Sequence, residues 1–256
     1  MSVTTVQPAP SEQRERGPGR RRWIPIAAGI GFTVSWVSGL VLPVPNLAPT
    51  ASAAEIVARY GPHLATVQAQ FALTEGLPAL GLAVVAFVLA GVARRSGSGA
   101  GRARVMAVAG TVAAAISVAQ YALGVMLAGW ALPDHAAGHA SALWQALNRL
   151  DGVKMFALAV LAVAAVALTA PSGPLPRWLR YASLALAASI TISGVAYLFL
   201  IQDLSWAAYV AGVALLVWVT GTGVALGRIV GRSLGAGRSP QANRSPRANG
   251  SLQAGR

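Results

Sequence analysis

Four side chains in this sequence could do chemistry in an otherwise apolar setting: Glu75, Gln120, Asp151 and Lys154. Each lies in a long hydrophobic run or within about a turn of its end. A charged or amide group is expensive there, which makes each a functional candidate. Asp151 and Lys154 are three residues apart, so a helix puts both on one face. Pairing Lys154 with Asp151 or with Glu75 would lower the cost of burying either charge. Together the four could form an outward-open polar pocket for a small solute, an ion or a lipid headgroup. The plainer alternative is a set of interfacial groups, some snorkelling to water and some locking helices together.

Other chemistry is thinly represented. The histidines are His63, His135 and His139. His135 and His139 are four apart and could face one metal with Asp134. No H-E-x-x-H pattern accompanies them, so no metal site is expected and these two are the only candidates. A haem held between two helices would need histidines within the spans, and none is there. The chain contains no cysteine, which removes disulfides, Cys-zinc sites, iron–sulfur clusters and thiol nucleophiles. Gly97-Ser98-Gly99-Ala100-Gly101 lacks the strand-to-helix setting and the Lys-Ser/Thr pair of a phosphate loop. Ser35, Thr111, Ser117, Thr191 and Ser193 fall in apolar runs and are expected to bond their own helix backbones. No catalytic residue and no cofactor are expected.

The elements that must position these groups follow from composition. The 256 residues are 55% hydrophobic and 11% charged, against about a quarter charged in an ordinary soluble domain. So apolar a chain could not cover its surface in water. Runs near the ~20 residues needed to span a bilayer lie at about 23–43, 72–93, 104–132, 152–170, 178–201 and 205–227. The expected fold is an all-α, polytopic transmembrane bundle of about six spans. Gln120 lies sixteen residues beyond Arg104, hence about 24 Å along the third span.

The formal net charge of +13 would suggest nucleic acid in a soluble protein, but the placement of the charges argues for a membrane. Apart from Arg59, Arg149 and Lys154, every basic residue precedes the first span, follows the sixth, or lies between spans two and three or four and five. By the positive-inside rule that side is expected to be cytoplasmic, with both termini there, in the plasma membrane. Anionic lipid headgroups are the expected partners of its arginines. No nucleic-acid partner is expected, and the oligomeric state is left open. Arg20–Arg22, the first run and Ala51-Ser52-Ala53 together mimic a cleaved signal peptide. The run is too long for one, and Pro43 and Pro45 interrupt its approach to the site.

The polar ends differ. Residues 1–22 and 229–256 are Pro-, Ser-, Gly- and Arg-rich and are expected to be disordered tails. The second carries a tandem repeat, Arg238-Ser-Pro-Gln-Ala-Asn243 and Arg244-Ser-Pro-Arg-Ala-Asn249. In the first outer loop Ser52 and Glu55 form a capping-box pattern. Ile56, Tyr60, Leu64, Val67 and Phe71 then recur at helical spacing, predicting an amphipathic helix interrupted near Gly61-Pro62. Leu143, Trp144, Leu147 and Leu150 predict a second such helix, over 133–151, running into span four. For helix packing, small residues matter most in lipid. Gly31, Ser35 and Gly39 in span one, and Gly223 and Gly227 in span six, are the expected contact faces. Trp23, Trp130, Trp178 and Trp206 fall near span ends, as in aromatic belts; Trp36 and Trp218 are deeper.

The Arg-rich start, Gly39-Leu-Val-Leu-Pro43, Ala54-Glu55-Ile56-Val57, Gln68-Ala-Gln70 and Leu150-Asp-Gly-Val-Lys154 resemble six-span membrane proteins of high-GC Gram-positive bacteria, of the DUF4386 kind. The resemblance covers the whole chain and implies six spans; it implies no activity. The expected role is a non-enzymatic binding, scaffolding or regulatory membrane protein. A small secondary transporter is the alternative, although inverted repeats with broken midplane helices are not visible. A lipid-modifying enzyme using Glu75 or the histidines stands third.

Overall fold

The computed structural model describes residues 18–133, 137–204 and 206–236. Among these residues all regular structure is helical: α1 (Pro18–Leu40), α2 (Ala53–Tyr60), α3 (Leu64–Phe71), α4 (Leu77–Arg95), α5 (Ala100–Met126), α6 (Ala137–Val166), α7 (Trp178–Leu198) and α8 (Trp206–Ala236). Six helical segments are long and apolar enough to cross a membrane. With no backbone donor or acceptor in hydrocarbon, a helix is the form that satisfies these segments internally. The chain is a multi-pass membrane protein.

The helices overrun the predicted spans at both ends. α1 begins at Pro18 and α8 continues to Ala236, inside what composition marks as tails. Arginine is a good helix former, and an existing helix extends at little cost once nucleated. The rest of both tails, including the tandem repeat, lies outside the described residues. α6 is one continuous helix through Leu143, Trp144 and Lys154.

All the described arginines except Arg59 and Arg149 gather at one end of the bundle, on the α4–α5 and α6–α7 connections and the outer ends of α1 and α8, and from Arg22 onward they are exposed. We call this the arginine end. The tight α4–α5 link there needs Gly97 and Gly99, with φ of +71° and +96°, a region costly for any other residue. The opposite, capped end carries α2 and α3. Ser52 caps α2 by accepting the Glu55 N–H at 3.2 Å. Glu55 does not complete the box; it pairs with Arg59 at 3.2 Å on the surface. A single 3-10 turn at Gly61–His63, with Pro62 in it, separates α2 from α3.

Two apolar cores result. The larger runs through α4–α8, with Leu82, Leu89, Met106, Leu161, Leu186 and Trp218 among its buried side chains. The smaller lies under the cap, where Leu47, Ile56, Tyr60 and Val67 meet Leu127, Leu132 and Leu147. Trp144 ties it down, donating to the Ala48 carbonyl at 2.9 Å and meeting Tyr60 edge-on at 5.7 Å.

The small-residue faces need one correction. α1 meets α8 through Pro25, Gly29 and Thr33. A Cβ on Gly223 would lie 2.5 Å from the Pro25 carbonyl oxygen, and Thr33 and Thr220 hydroxyls bond at 2.6 Å. Gly227 packs on Ile26 and Arg22. Ser35 and Gly39 instead face Leu73 and Thr74, before α4. Gly31 is exposed and meets nothing. It lies two residues, about 200° around the helix, from Gly29, so it cannot share that contact.

Candidate functional site

Glu75, Gln120, Asp151 and Lys154 come together in one hydrogen-bonded cluster in the capped half. The backbone around Glu75 departs from regular α-helix, as it does again at Leu127–Ala131. Residues Ala72–Gly76 form a single wide π-turn between α3 and α4, with Leu77 N–H bonded to the Ala72 carbonyl. The sequence accounts for this locally. The regular donor for the Leu73 carbonyl would be Leu77, now used by Ala72. The next residue is Pro78, which has no N–H. Ser35 of α1 fills the vacancy, donating to the Leu73 carbonyl at 2.8 Å. Such turns occur often at functional sites, and here the turn carries Glu75.

α5 is drawn close to this turn by two glycine contacts. Gly76 packs on the Tyr121 ring, and Gly124 packs against Phe71. That closeness sets Ser117 and Gln120, both buried, beside the turn. α6 supplies Asp151 and Lys154, and between them Gly152 faces α7. A Cβ on Gly152 would come within 2.6 Å of the Leu198 nitrogen and 2.8 Å of the Gly194 carbonyl oxygen. The close α6–α7 approach thus holds the turn of α6 that presents both charges.

Lys154 is the centre of the cluster. Its Nζ donates to both Glu75 oxygens, at 3.0 and 2.8 Å, and pairs with Asp151 Oδ1 at 2.6 Å. Gln120 Nε2 donates to the same Asp151 oxygen at 3.2 Å and to the Leu147 carbonyl at 3.1 Å. Ser117 faces the Glu75 carboxylate. Lys154 is the only buried charged residue among the described residues, and the Glu75 and Asp151 side chains are 14% and 20% exposed. Lysine therefore bridges both carboxylates, where sequence spacing alone suggested one or the other. Partnered this completely, the ammonium meets the condition under which a buried ion pair offsets its desolvation.

Some buried polar atoms stay without a partner: Gln120 Oε1, Ser193 Oγ and Thr222 Oγ1. Thr111 and Thr191 bond their own helix backbones as expected, to Ala107 and Ala187. Ser35, Ser117 and Ser193 do not follow that pattern. Tyr197 of α7, which the sequence did not single out, lies within electrostatic reach of Asp151 and Lys154. Its position four residues from Ile201, at the end of a span, carried no signal of this.

The remaining candidates lie elsewhere. Asp203 is exposed and takes no part in the cluster. His63 and His139 are exposed, and His139 sits against Trp130 at 5.1 Å. Asp134 and His135 lie outside the described residues. Among those described, no group of three or more His, Asp or Glu could hold a metal. Trp218 is fully buried and donates to Ser183 at 2.7 Å; Trp23, Trp130, Trp178 and Trp206 are exposed. Comparison with protein-family models, curated proteins and solved structures gives no match to this chain.

Proposed function

We propose that this is a non-enzymatic plasma-membrane protein with a binding role, and that its site is the Glu75–Gln120–Asp151–Lys154 cluster. The observation that supports this is the convergence of two carboxylates, one ammonium and one amide, from α5, α6 and the turn before α4, into a single network. Two carboxylates against one ammonium leave a formal excess of one negative charge. Such a site favours a small positively charged ligand, because an uncompensated charge in a low-dielectric setting is strongly disfavoured. Purified protein is to be heated in sodium, potassium or a bulky organic cation, and across pH. A stability shift in wild type that Glu75→Gln removes is the expected result. No shift with any of these cations or with protons would overturn the binding reading.

The arrangement in the membrane is part of the same proposal. Both termini and the arginine end are cytoplasmic, the cluster sits in the outer half, and α2 and α3 cover it from outside. Arginine asymmetry supports this through the positive-inside rule. A C-terminal reporter active only outside the cell would overturn it. At the cytoplasmic face, exposed arginines attract anionic headgroups, each for about 1 kcal/mol. An apolar groove of about 410 Å³ between α5 and α6, with Arg104 among its lining residues, suits such a lipid. The likeness to six-span DUF4386 proteins belongs to this proposal and brings no activity with it.

A second reading, a small transporter, draws on the same convergence in one half of the bundle. Solute or proton flux into vesicles separates the two. Equal flux through wild type, Glu75→Gln, Lys154→Ala and protein-free vesicles would sink the transporter.

A further inference from the structure

The cluster has an unbalanced charge and an unbalanced hydrogen bond, and both point to the same missing particle. Glu75 and Asp151 carry two negative charges when ionised, and Lys154 carries one positive charge. The groups facing them from every packed element leave the count unchanged. α5 contributes Ser117 and Gln120, both neutral. α7 contributes Tyr197, and α8 contributes Tyr209, which is exposed and within electrostatic reach of Tyr197. α1 contributes Ser35, committed to the Leu73 carbonyl. Arg149 is two residues from Asp151 but exposed, and the Glu55–Arg59 pair lies on the surface.

The hydrogen-bond deficit is at Gln120. Its Nε2 points at two acceptors, the Leu147 carbonyl and Asp151 Oδ1. That fixes which end of the amide is nitrogen, since the reverse would set oxygen against oxygen. Oε1, the other end of the amide whose Nε2 lies 3.2 Å from Asp151 Oδ1, is therefore an acceptor with no donor, in a residue 4% exposed. A buried acceptor without a donor is penalised. The cluster lacks one positive charge and one hydrogen-bond donor, and a single proton supplies both.

We infer that the cluster binds one exchangeable proton, shared between the carboxylates of Glu75 and Asp151 around the fixed ammonium of Lys154, with Gln120 Oε1 free to accept a hydrogen bond. The proton comes from water at the capped end and returns there. On binding, one carboxylate becomes a carboxylic acid and the cluster passes from a formal charge of −1 to neutral. This rests on reading the cluster as a site for a positively charged ligand, and it names that ligand as the proton and not a metal cation.

The charge count predicts a ladder of protonated carboxyls. Beyond the protonation of the five Asp and Glu residues outside the cluster, which is common to all variants, wild type in lipid nanodiscs should show one on acidification, seen as the carboxylic-acid C=O stretch in infrared difference spectra. Glu75→Gln and Asp151→Asn each leave a neutral pair and should show none. Lys154→Met leaves two carboxylates and should show two. Selective ¹³C labelling of Asp or Glu carboxyls in wild type shifts the band and assigns it without any substitution, so a variant that fails to fold does not block the test. Exchanging sodium for potassium or for a bulky organic cation should not move the wild-type signal. If the band is absent and wild-type stability instead follows sodium or potassium, the proton is overturned while the cation site stands. If neither acid nor any cation has an effect, both readings fail.

Discussion

Both halves of this bundle bring helices together through small residues, and the capped half adds a charged network. In the arginine half, helices approach through small residues: Gly223 against Pro25 and Gly29, Gly110 against Ala86, Gly221 against the Trp178 ring. The contacts are short-range and uncharged, as expected where lipid tails compete equally for any large apolar side chain. In the capped half, α5, α6 and the turn before α4 are joined by Lys154, Glu75, Asp151 and Gln120. Packing through small residues offers many near-equivalent registers. An ammonium that must satisfy two carboxylates offers one. The second device is costlier and more specific, and it is the one able to respond to a charged ligand.

Removing the central charge should give the largest effect. Lys154→Met leaves two carboxylates facing each other, and breaking a buried pair in this way costs about 3–5 kcal/mol. Thermal or denaturant unfolding in mild detergent would measure it. The deficit should shrink as pH falls, because protonation neutralises the carboxylates left behind. A pH-independent deficit would mean that packing of the lysine stem, and not its charge, matters.

The corresponding break in the arginine half is Gly223→Leu. The nearest obstacles are the Pro25 carbonyl oxygen and Gly29 Cα, both backbone, so no rotamer relieves the clash. Overpacking of this kind costs about 1–3 kcal/mol, with no pH dependence. Equal pH profiles for this variant and Lys154→Met would erase the distinction between the halves.

Smaller substitutions sharpen the comparison. Trp218→Phe keeps the ring in the larger core but strips the donor from Ser183, a buried neutral bond worth about 1 kcal/mol. Unfolding followed by fluorescence of the other tryptophans would read it. Ser52→Ala removes the cap of α2 and should cost about 0.5 kcal/mol, the low end for an exposed cap. It should appear as faster protease cleavage within 53–71, with the bundle's own unfolding unchanged.

Much of the architecture was legible because its causes are local. Apolar runs near span length, the break at Gly61-Pro62 and the Ser52 cap each depend on neighbouring residues, and each has its counterpart among the helices. The four polar residues were legible too, because a charge is conspicuous in an apolar run. Their mutual arrangement was less so. Lys154 and Glu75 are 79 residues apart, so the sequence offered either carboxylate as the partner of Lys154 and could not show that it meets both. Gly31 shows the converse error: four-residue spacing of small residues marks a face but not the neighbour that face will meet.

The sequence by itself determined that this chain crosses a membrane as helices and that Glu75, Gln120, Asp151 and Lys154 are its expensive residues, since hydropathy and charge are properties of each residue and its near neighbours. Only the tertiary structure decided that those four share one site. That required Pro78 to leave the Leu73 carbonyl without a donor, Ser35 to supply one, Gly124 and Gly152 to admit their neighbours, and Lys154 to meet both carboxylates. Each of these is a contact between distant segments, and the balance of charge and hydrogen bonds it creates exists only once they meet.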